Sequence, residues 1–395
     1  MLCLSSIDWA DNWQVHQQLA TTLSAQGDRV LFVENTGVRP PTWADVPRIR
    51  RRLANWARSP RGQSTGGDRL TVYAPLVLPW PYSRLATGLN RHLLEARVRR
   101  WRRRDPTRDL VLWTFLPTPL TGALIRALRP RLTVYHCVDD LGSTSPAARR
   151  ITTSEIALLR TADLVFVTSE GLRARAMRYR TQVALLPSAV DIEMFERARD
   201  DPAAVPPDLR SLPRPVVGFI GEVKRWVDQE LLRTAAQRLP GVSFVLLGPV
   251  RTDIARLGGA ANVHVLGARP HAQIPAYLRG FDVALIPYVV SPYTNHVHPA
   301  KLHEYLAIGL AVVSTPLPEI ARLNAEHGEL VTVAAGTEAF CAAIQEALDG
   351  TDAVVVARRV AVARANSWTV RFAVISNLLE AALAAKGEAR GGAGA

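Results

Sequence analysis

The sequence predicts an α/β protein built from two doubly wound domains, and three observations carry that expectation. Short β-branched runs alternate with longer stretches of helical apolar spacing along nearly the whole chain. The alternation runs twice, once on each side of a proline-rich stretch. The 395 residues are 48% hydrophobic and 21% charged, too much core material for a disordered chain and too much length for one ordinary domain.

Taken in order, Met1–Ile7 reads as a strand and Asn12–Gln26 as a helix, since Val15, Leu19 and Leu23 recur every four residues and Gly27 closes the pattern. Arg29–Glu34 reads as the second strand. Arg69–Ala74, Leu110–Thr114, Leu132–Cys137, Leu164–Thr168 and Val183–Leu186 follow, with helical segments between them. The first domain is placed at 1–195. Asp200, Asp201, Pro202, Pro206, Pro207, Pro213 and Pro215 mark 196–215 as a linker. The second series then runs Val216–Ile220, Val242–Leu247, Val263–Leu266, Val283–Pro287, Ala311–Ser314 and Leu330–Val333. Its helices include Gln229–Leu239, Ala300–Ile308 and Glu338–Leu348, and the second domain is placed at 216–365. The remainder, 366–395, is expected to form a helix containing Ser367-Trp368 that returns towards the first domain and frays after Glu388. Two such domains commonly hold their ligand in the cleft between them.

Several classes fall away. No window approaches eighteen uninterrupted apolar residues, so no spanning segment is expected. Met1–Trp13 lacks the basic start and apolar stretch of a signal peptide. Cys3, Cys137 and Cys341 lie too far apart for a disulfide framework or a metal knuckle. The expected compartment is the cytoplasm. Charge is uneven: residues 1–200 hold 30 basic and 18 acidic side chains, so they carry +12 of the net +13, and none of the basic ones is lysine. That asymmetry suits a polyanionic partner, or a solvated surface written in arginine.

The chemistry concentrates in Tyr293-Thr-Asn-His-Val-His-Pro-Ala-Lys-Leu-His-Glu-Tyr-Leu-Ala-Ile-Gly309. Pro299 suits the first turn of a helix, where its missing N–H is not needed. Lys301 and Glu304 then share a face near a terminus whose free N–H groups and dipole favour a diphosphate. Lys301 supplies a point charge for phosphates and Glu304 can accept from two vicinal ribose hydroxyls. An exposed i,i+3 ion pair is the plainer alternative. Only three lysines occur in the chain, and the His/Asn/Tyr cluster beside them favours the ligand reading.

The run Pro299-x-Lys-Leu-x-Glu-Tyr-Leu-Ala-x-Gly-x-x-Val-Val-Ser314 resembles the donor-site helix of GT-B glycosyltransferases, especially family-four-like (glycosyl transferases group 1) enzymes of bacterial polysaccharide and teichuronic acid biosynthesis. Leu186-Pro-Ser-Ala-Val-Asp-Ile-Glu-Met-Phe195 is similar to the segment that leads into their second domain, and Gly218-Phe-Ile-Gly221 to the turn that opens it. Val134-Tyr-His-Cys-Val-Asp-Asp140 and Trp9–Leu19 add weaker matches, in the same order along the chain. The resemblance implies two Rossmann-like domains facing across a cleft. A nucleotide diphosphate sugar would be held mainly by the second domain, and a glycan or lipid-linked acceptor by the first. It implies Glu304 as the ribose ligand and Lys301 as a phosphate contact; His296 with Asn295 is read as facing the sugar, and His298 as a further donor-binding residue. The loop after Gly221, where the family often places Arg and Lys on the phosphates, departs from that pattern: Lys224 or Arg225 can substitute or be solvated loop charges, while Arg269 lies on the turn whose backbone meets the base. The chain departs from the family at position 296, where His296 stands in place of the first Glu of Glu-x7-Glu. Stereochemistry and sugar therefore stay open.

A catalytic group is expected from the first domain. Leu132–Cys137 is apolar enough for an inner strand, which puts Asp139 and Asp140 at its ligand-facing end. Asp139 is the preferred general base for an inverting transfer. For a retaining one, the resemblance points to His136 beside the sugar. Their plainer readings are a capping carboxylate and a core histidine. No Asp-x-Asp triplet and no metal-spaced His/Cys cluster occurs, so no metal and no cofactor beyond the nucleotide sugar is expected.

Arginine gathers in two segments. Arg48, Arg50, Arg51, Arg52, Arg58 and Arg61 interleave with Trp43, Ile49, Leu53 and Trp56 across 48–61. The second, 84–104, reads as a helix with one apolar stripe at Leu85, Leu89, Leu93 and Ala96 and another at Leu94, Val98 and Trp101. One stripe can pack on the domain while the other meets an anionic membrane surface; both could equally be buried. No nucleic-acid-binding motif accompanies the charge, so no nucleic acid is expected. The resulting reading is a metal-independent hexosyl-type glycosyltransferase of cell-surface polysaccharide or glycoconjugate synthesis, cytoplasmic and peripheral to the inner membrane face. A nucleotide-sugar 2-epimerase of the same fold, or a non-catalytic basic binding protein, are the rivals.

Overall fold

In a computed structural model of the chain, the apolar runs pair into two separate sheets. The structure describes residues 1–10, 13–40, 69–105, 108–144, 148–201, 205–350 and 352–391, with 46, 50, 54, 63–64 and 146 besides. Of the first arginine cluster, Arg48, Arg51, Arg52, Arg58 and Arg61 lie outside the described residues.

The first sheet is built from β1 (Leu2–Leu4), β2 (Val30–Val33), β3 (Gln63–Ser64), β4 (Leu70–Tyr73), β5 (Val111–Thr114), β6 (Leu132–Cys137), β7 (Leu164–Val167) and β8 (Ala184–Leu185). Their order is β3-β4-β2-β1-β5-β6-β7-β8, parallel except for the short β3 on the edge. Every residue of β1, β2 and β6 is buried, the mark of strands covered on both faces. The crossovers include α1 (Val15–Ala25), α2 (Arg84–Arg102), α3 (Pro119–Leu128), α4 (Thr152–Thr161) and α5 (Glu170–Met177). The start of α3 has a local cause: the Thr118 hydroxyl accepts from Thr121 N–H and Pro119 occupies the first turn.

The second unit starts earlier than the proline count suggests. The chain divides into Met1–Leu186 with Ile375–Ala395, and Pro187–Val374. The stretch 196–215, expected as a linker, is part of the second unit. It holds the end of α6 (Ile192–Asp200) and α7 (Pro207–Arg210). Phe195 and Leu209 are buried in that unit's core, and Val190 bridges to Ser367. Pro207 there opens a helical turn, which a proline count alone does not separate from a loose chain.

The second sheet comprises β9 (Val216–Ile220), β10 (Ser243–Leu247), β11 (Val263–Gly267), β12 (Val283–Ile286), β13 (Ala311–Ser314) and β14 (Thr332–Val333). All pair in parallel, in the order β11-β10-β9-β12-β13-β14. Among its helices are α8 (Gln229–Arg238), α9 (Ile274–Arg279), α10 (Lys301–Ile308), α11 (Pro318–His327), α12 (Gly336–Leu348) and α13 (Ala353–Ala365). Strands progress one way from β9 to β11 and the other way from β12 to β14. The topological switch point therefore lies between the carboxyl ends of β9 and β12, the edge where such sheets take ligands.

The final helix, α14 (Trp368–Gly391), begins in the second unit and ends in the first. Within the first unit, Lys386 pairs with Asp163 at 2.7 Å. By length and composition Trp368–Glu388 could cross a membrane, although no such segment was expected. The stretch is rich in alanine and leucine and also carries Arg371, Glu380 and Lys386. Buried Phe372, Ile375 and Leu379, three to four residues apart, give it a packing seam.

Candidate functional site

The switch point of the second unit is lined by α10. Leu302, Tyr305 and Leu306 are fully buried, which leaves Lys301, Glu304 and Ile308 on the partly open face. The Tyr305 hydroxyl accepts from Ile220 N–H at 2.9 Å and reaches Leu285 carbonyl at 3.4 Å. One buried side chain thus ties the helix to the ends of both β9 and β12. Ala300 stands at the helix start with no side-chain cap on the first turn.

Lys301 is directed into this corner. Its ammonium donates to the Tyr288 hydroxyl and lies 4.7 Å from the Phe219 ring centre and 4.9 Å from that of Tyr288. The loop after β9 comes close: a Cβ placed on Gly221 would sit 3.2 Å from Lys301 Nζ. Gly221 has φ +136° and Gly248 φ +148°, both closed to most side chains. Gly221 N–H donates to Leu247 carbonyl and Gly248 N–H to Gly267 carbonyl, each at 2.9 Å. The loops after β9, β10 and β11 are thus stacked backbone on backbone beside Lys301.

Glu304 faces His271, whose Nε2 is 3.4 Å from Oε1. His271 follows the turn that carries Arg269, and no local motif links it to Glu304. Arg269 itself is turned aside: it donates to Asp208 at 2.8 Å and to the Tyr277 hydroxyl at 2.7 Å. Its backbone stays in the expected turn while its guanidinium holds α7 against α9. Lys224 is likewise committed, paired with Glu222 and lying 4.8 Å over the Trp226 ring. Arg251 shares Glu222 at 3.6 Å.

Asn295 and His296 sit in a 3-10 turn, Thr294–His296, just ahead of α10. Thr294 builds that turn, its hydroxyl donating to Val289 carbonyl at 2.6 Å and accepting from Ser291 N–H at 2.8 Å. His298 is not presented to the same space. It is buried and stacked on His303 at 5.3 Å, and burial pushes its pKa down to about 3. His298 is therefore a neutral interior residue, and the expectation that it faces a ligand is not met by this geometry.

In the first unit, His136 and Asp139 separate. His136 is 2% exposed, packed among Trp113, Phe115 and Phe166, with neither ring nitrogen hydrogen-bonded. Burial drives its pKa down to about 3. It is a core histidine, and the role beside a sugar expected for it has no open surface to act on. Asp140 is engaged in structure, 3.4 Å from Arg175 and accepting from Ser143 at 2.5 Å. Arg175 also bridges to Glu155 at 2.6 Å, and Glu155 accepts from Tyr135 at 2.7 Å. Asp139 remains half-buried beyond the end of β6, at the ligand edge of that sheet. Among the described residues no group of three His, Cys, Asp or Glu side chains could hold a metal ion.

Residues 214–350 match the family described as glycosyl transferases group 1. Over 182 residues the chain is 29% identical to a Bacillus subtilis protein assigned as the teichuronic acid biosynthesis glycosyltransferase TuaH. That match covers 44% of this chain and 45% of the relative, so it spans less than half of its length. Among solved structures, the sucrose-phosphate synthase of Thermosynechococcus elongatus superposes with a TM-score of 0.71 at 18% identity, covering 97% of this chain and 99% of that one. Anabaena HepE, solved with UDP and glucose, gives 0.66 at 17%, covering 96% and 98%. At these identities the likeness establishes the fold.

Proposed function

We propose, from a second unit whose residues 214–350 match the glycosyl transferases group 1 family and from a chain with the GT-B fold, that this protein is a glycosyltransferase. The donor is a nucleotide diphosphate sugar. The observation that carries the reading is the placement of Lys301 at the β9/β12 switch point, against the Gly221 loop, with Glu304 one turn further along the same open face.

In this mechanism the Glu304 carboxylate accepts from the two ribose hydroxyls. The diphosphate lies over the first turn of α10, where uncapped N–H groups and the Lys301 ammonium meet its charge. The acceptor oxygen bonds to the anomeric carbon while the bond from that carbon to the phosphate oxygen breaks. Charge then grows on the leaving diphosphate, where Lys301 and the helix amides stabilise it without a metal ion. The acceptor proton goes to Asp139 if the reaction inverts, or to the departing phosphate if it retains. Asn295 and His296, ahead of the helix, are the residues proposed to meet the sugar.

The acceptor is proposed to be a glycan or lipid-linked sugar of cell-surface polysaccharide synthesis, as the TuaH relative suggests, with the chain working at the inner face of the membrane. UDP sugars are the first donors to test, since UDP is the nucleotide in the HepE structure. The test is acceptor-dependent release of nucleoside diphosphate from UDP-, GDP-, ADP- and TDP-hexoses, with a membrane lipid extract as acceptor. Release that needs the extract and disappears in Glu304→Ala supports transfer. Conversion of one sugar nucleotide into its epimer without any acceptor would show the 2-epimerase instead.

A further inference from the structure

The helix α2 resolves which of its two apolar stripes is turned inward. Leu94 and Val98 are buried in the first unit's core and Trp101 packs against them. The other stripe faces out: Leu85 is 87% exposed, and Leu89 and Leu93 are each 51% exposed. At 100° per residue, Leu85, Leu89 and Leu93 share one face with Ala96, Arg100 and Arg103. That outward face is leucine for two turns and arginine for the next two.

Its neighbourhood extends it. Asn90, buried on the inner side, accepts from Leu78 N–H at 2.8 Å and donates to Leu78 carbonyl at 3.0 Å. This staple fixes the segment before the helix, on which Trp80 is 55% exposed and Leu78 also open. The Tyr82 hydroxyl donates to Val38 carbonyl at 2.8 Å, anchoring the same segment from the other end. Five large apolar side chains are therefore presented on rigid backbone. Scattered exposed leucines need no explanation, but three on one helix face, with Leu78 and Trp80 open on the segment leading into it, do.

Charge decides the occupant. The only acid in α2, Glu95, is turned aside and neutralised by Arg91 at 3.9 Å and Arg99 at 2.5 Å. The outward face thus carries no carboxylate, and Arg100 and Arg103 are exposed on it with Arg104 just beyond. A second copy of the chain, pairing through this face, would bring arginine against arginine or against leucine. An anionic lipid surface satisfies both halves at once, taking the leucines and Trp80 into the acyl boundary and the arginines against phosphates.

We propose that this face of α2, with Leu78 and Trp80, is the surface by which the protein docks on an anionic membrane. This rests on the peripheral placement proposed above and names the side chains responsible. It does not depend on the donor site, because docking is read without any sugar nucleotide.

The experiment is co-sedimentation of the full chain with vesicles of phosphatidylcholine alone or mixed with phosphatidylglycerol, at low and high salt. Wild type is expected to pellet only with the anionic vesicles. The triple variant Leu85→Ser, Leu89→Ser, Leu93→Ser is expected to lose about tenfold or more in partitioning even at low salt. Arg100→Glu with Arg103→Glu should lose a similar factor. All five positions are exposed, and an unchanged melting temperature confirms that the variants are folded. Wild type that stays in the supernatant with anionic vesicles overturns the proposal. A serine variant that pellets like wild type also overturns it, placing docking on another face. So does a wild-type dimer that the serine variant converts to monomer without any vesicle binding, since the face is then an interface between copies.

Discussion

The Nε2 of His271 lies 3.4 Å from the Oε1 of Glu304, joining the turn after β11 to the exposed face of α10 across 33 residues of sequence. A carboxylate that must accept from two ribose hydroxyls gains from a neighbour that fixes its rotamer before the ligand arrives. His271→Ala is expected to weaken nucleotide binding by about 1 kcal/mol, roughly fivefold, with the fold intact. Titration calorimetry with UDP measures this. Equal affinity in wild type and His271→Ala would show that Glu304 needs no such partner.

Lys301 is proposed to act on the leaving diphosphate, so its loss should appear in turnover more than in binding. Lys301→Ala is expected to lower kcat by about a hundredfold, on the order of 3 kcal/mol, with a smaller change in KM. Because Lys301 and the helix amides carry this role, EDTA should leave the wild-type rate unchanged. A rate abolished by EDTA and restored by a divalent cation would contradict the proposed charge stabilisation.

The loop stacking beneath the site can be tested without a ligand. A Cβ on Gly248 would sit 2.1 Å from the Gly221 carbonyl oxygen, at φ +148°. Gly248→Ala is expected to destabilise the second unit by about 2 kcal/mol or more, through backbone displacement and strain together. Gly241, where a Cβ would meet nothing within 4 Å, is the control. Denaturant midpoints that coincide for the two variants would refute the close approach.

Buried neutral histidines make the fold acid-sensitive. Burial holds His16, His136 and His298 at about 3 and pushes His303 down as well. An unfolded histidine titrates near 6.5, so their contribution is whole above that pH. As pH falls from 6.5 towards 3, the unfolded chain takes up protons that the folded chain refuses. Stability then drops by about 1.4 kcal/mol per pH unit for each such histidine. Unfolding curves at pH 7.5 and 5.5 measure the drop, and His136→Leu, which removes one proton site, should lessen it. An identical drop in the variant would mean that His136 is protonated in the folded state.

Most of the frame could be read from residues because its strands are parallel and buried. Leu132–Cys137, Val216–Ile220 and Ala311–Ser314 appear in the structure at the bounds their apolar runs suggest. The donor-site helix is legible for a different reason: Gly309, at φ +83°, closes it, while Pro299 stands just ahead of the Ala300 cap rather than in the first turn. The linker was misread because proline marks a helix's first turn as readily as a loose chain, and only burial of Phe195 and Leu209 separates the two. The side-chain partners of Arg269 and Lys224, Asp208 and Glu222, follow from folding rather than from any motif. His271 was missed on the same account, since nothing local links it to Glu304. The two stripes of α2 were visible as periodicity, but which one faces inward is decided by its packing on α3, through Leu120 and Leu124 of the same core cluster.

Glu304 and Lys301 are proposed to form a nucleotide-sugar site in the second unit. The direct measurement is a thermal-shift titration of wild type and Glu304→Ala with UDP, GDP, ADP, TDP and their hexose conjugates. A ligand bound only by the folded chain raises the melting temperature by mass action. A rise with one base family is expected in wild type and lost in Glu304→Ala, whose own melting temperature is unchanged because the side chain is partly open. A rise of equal size in both proteins would place the nucleotide elsewhere and contradict the proposal.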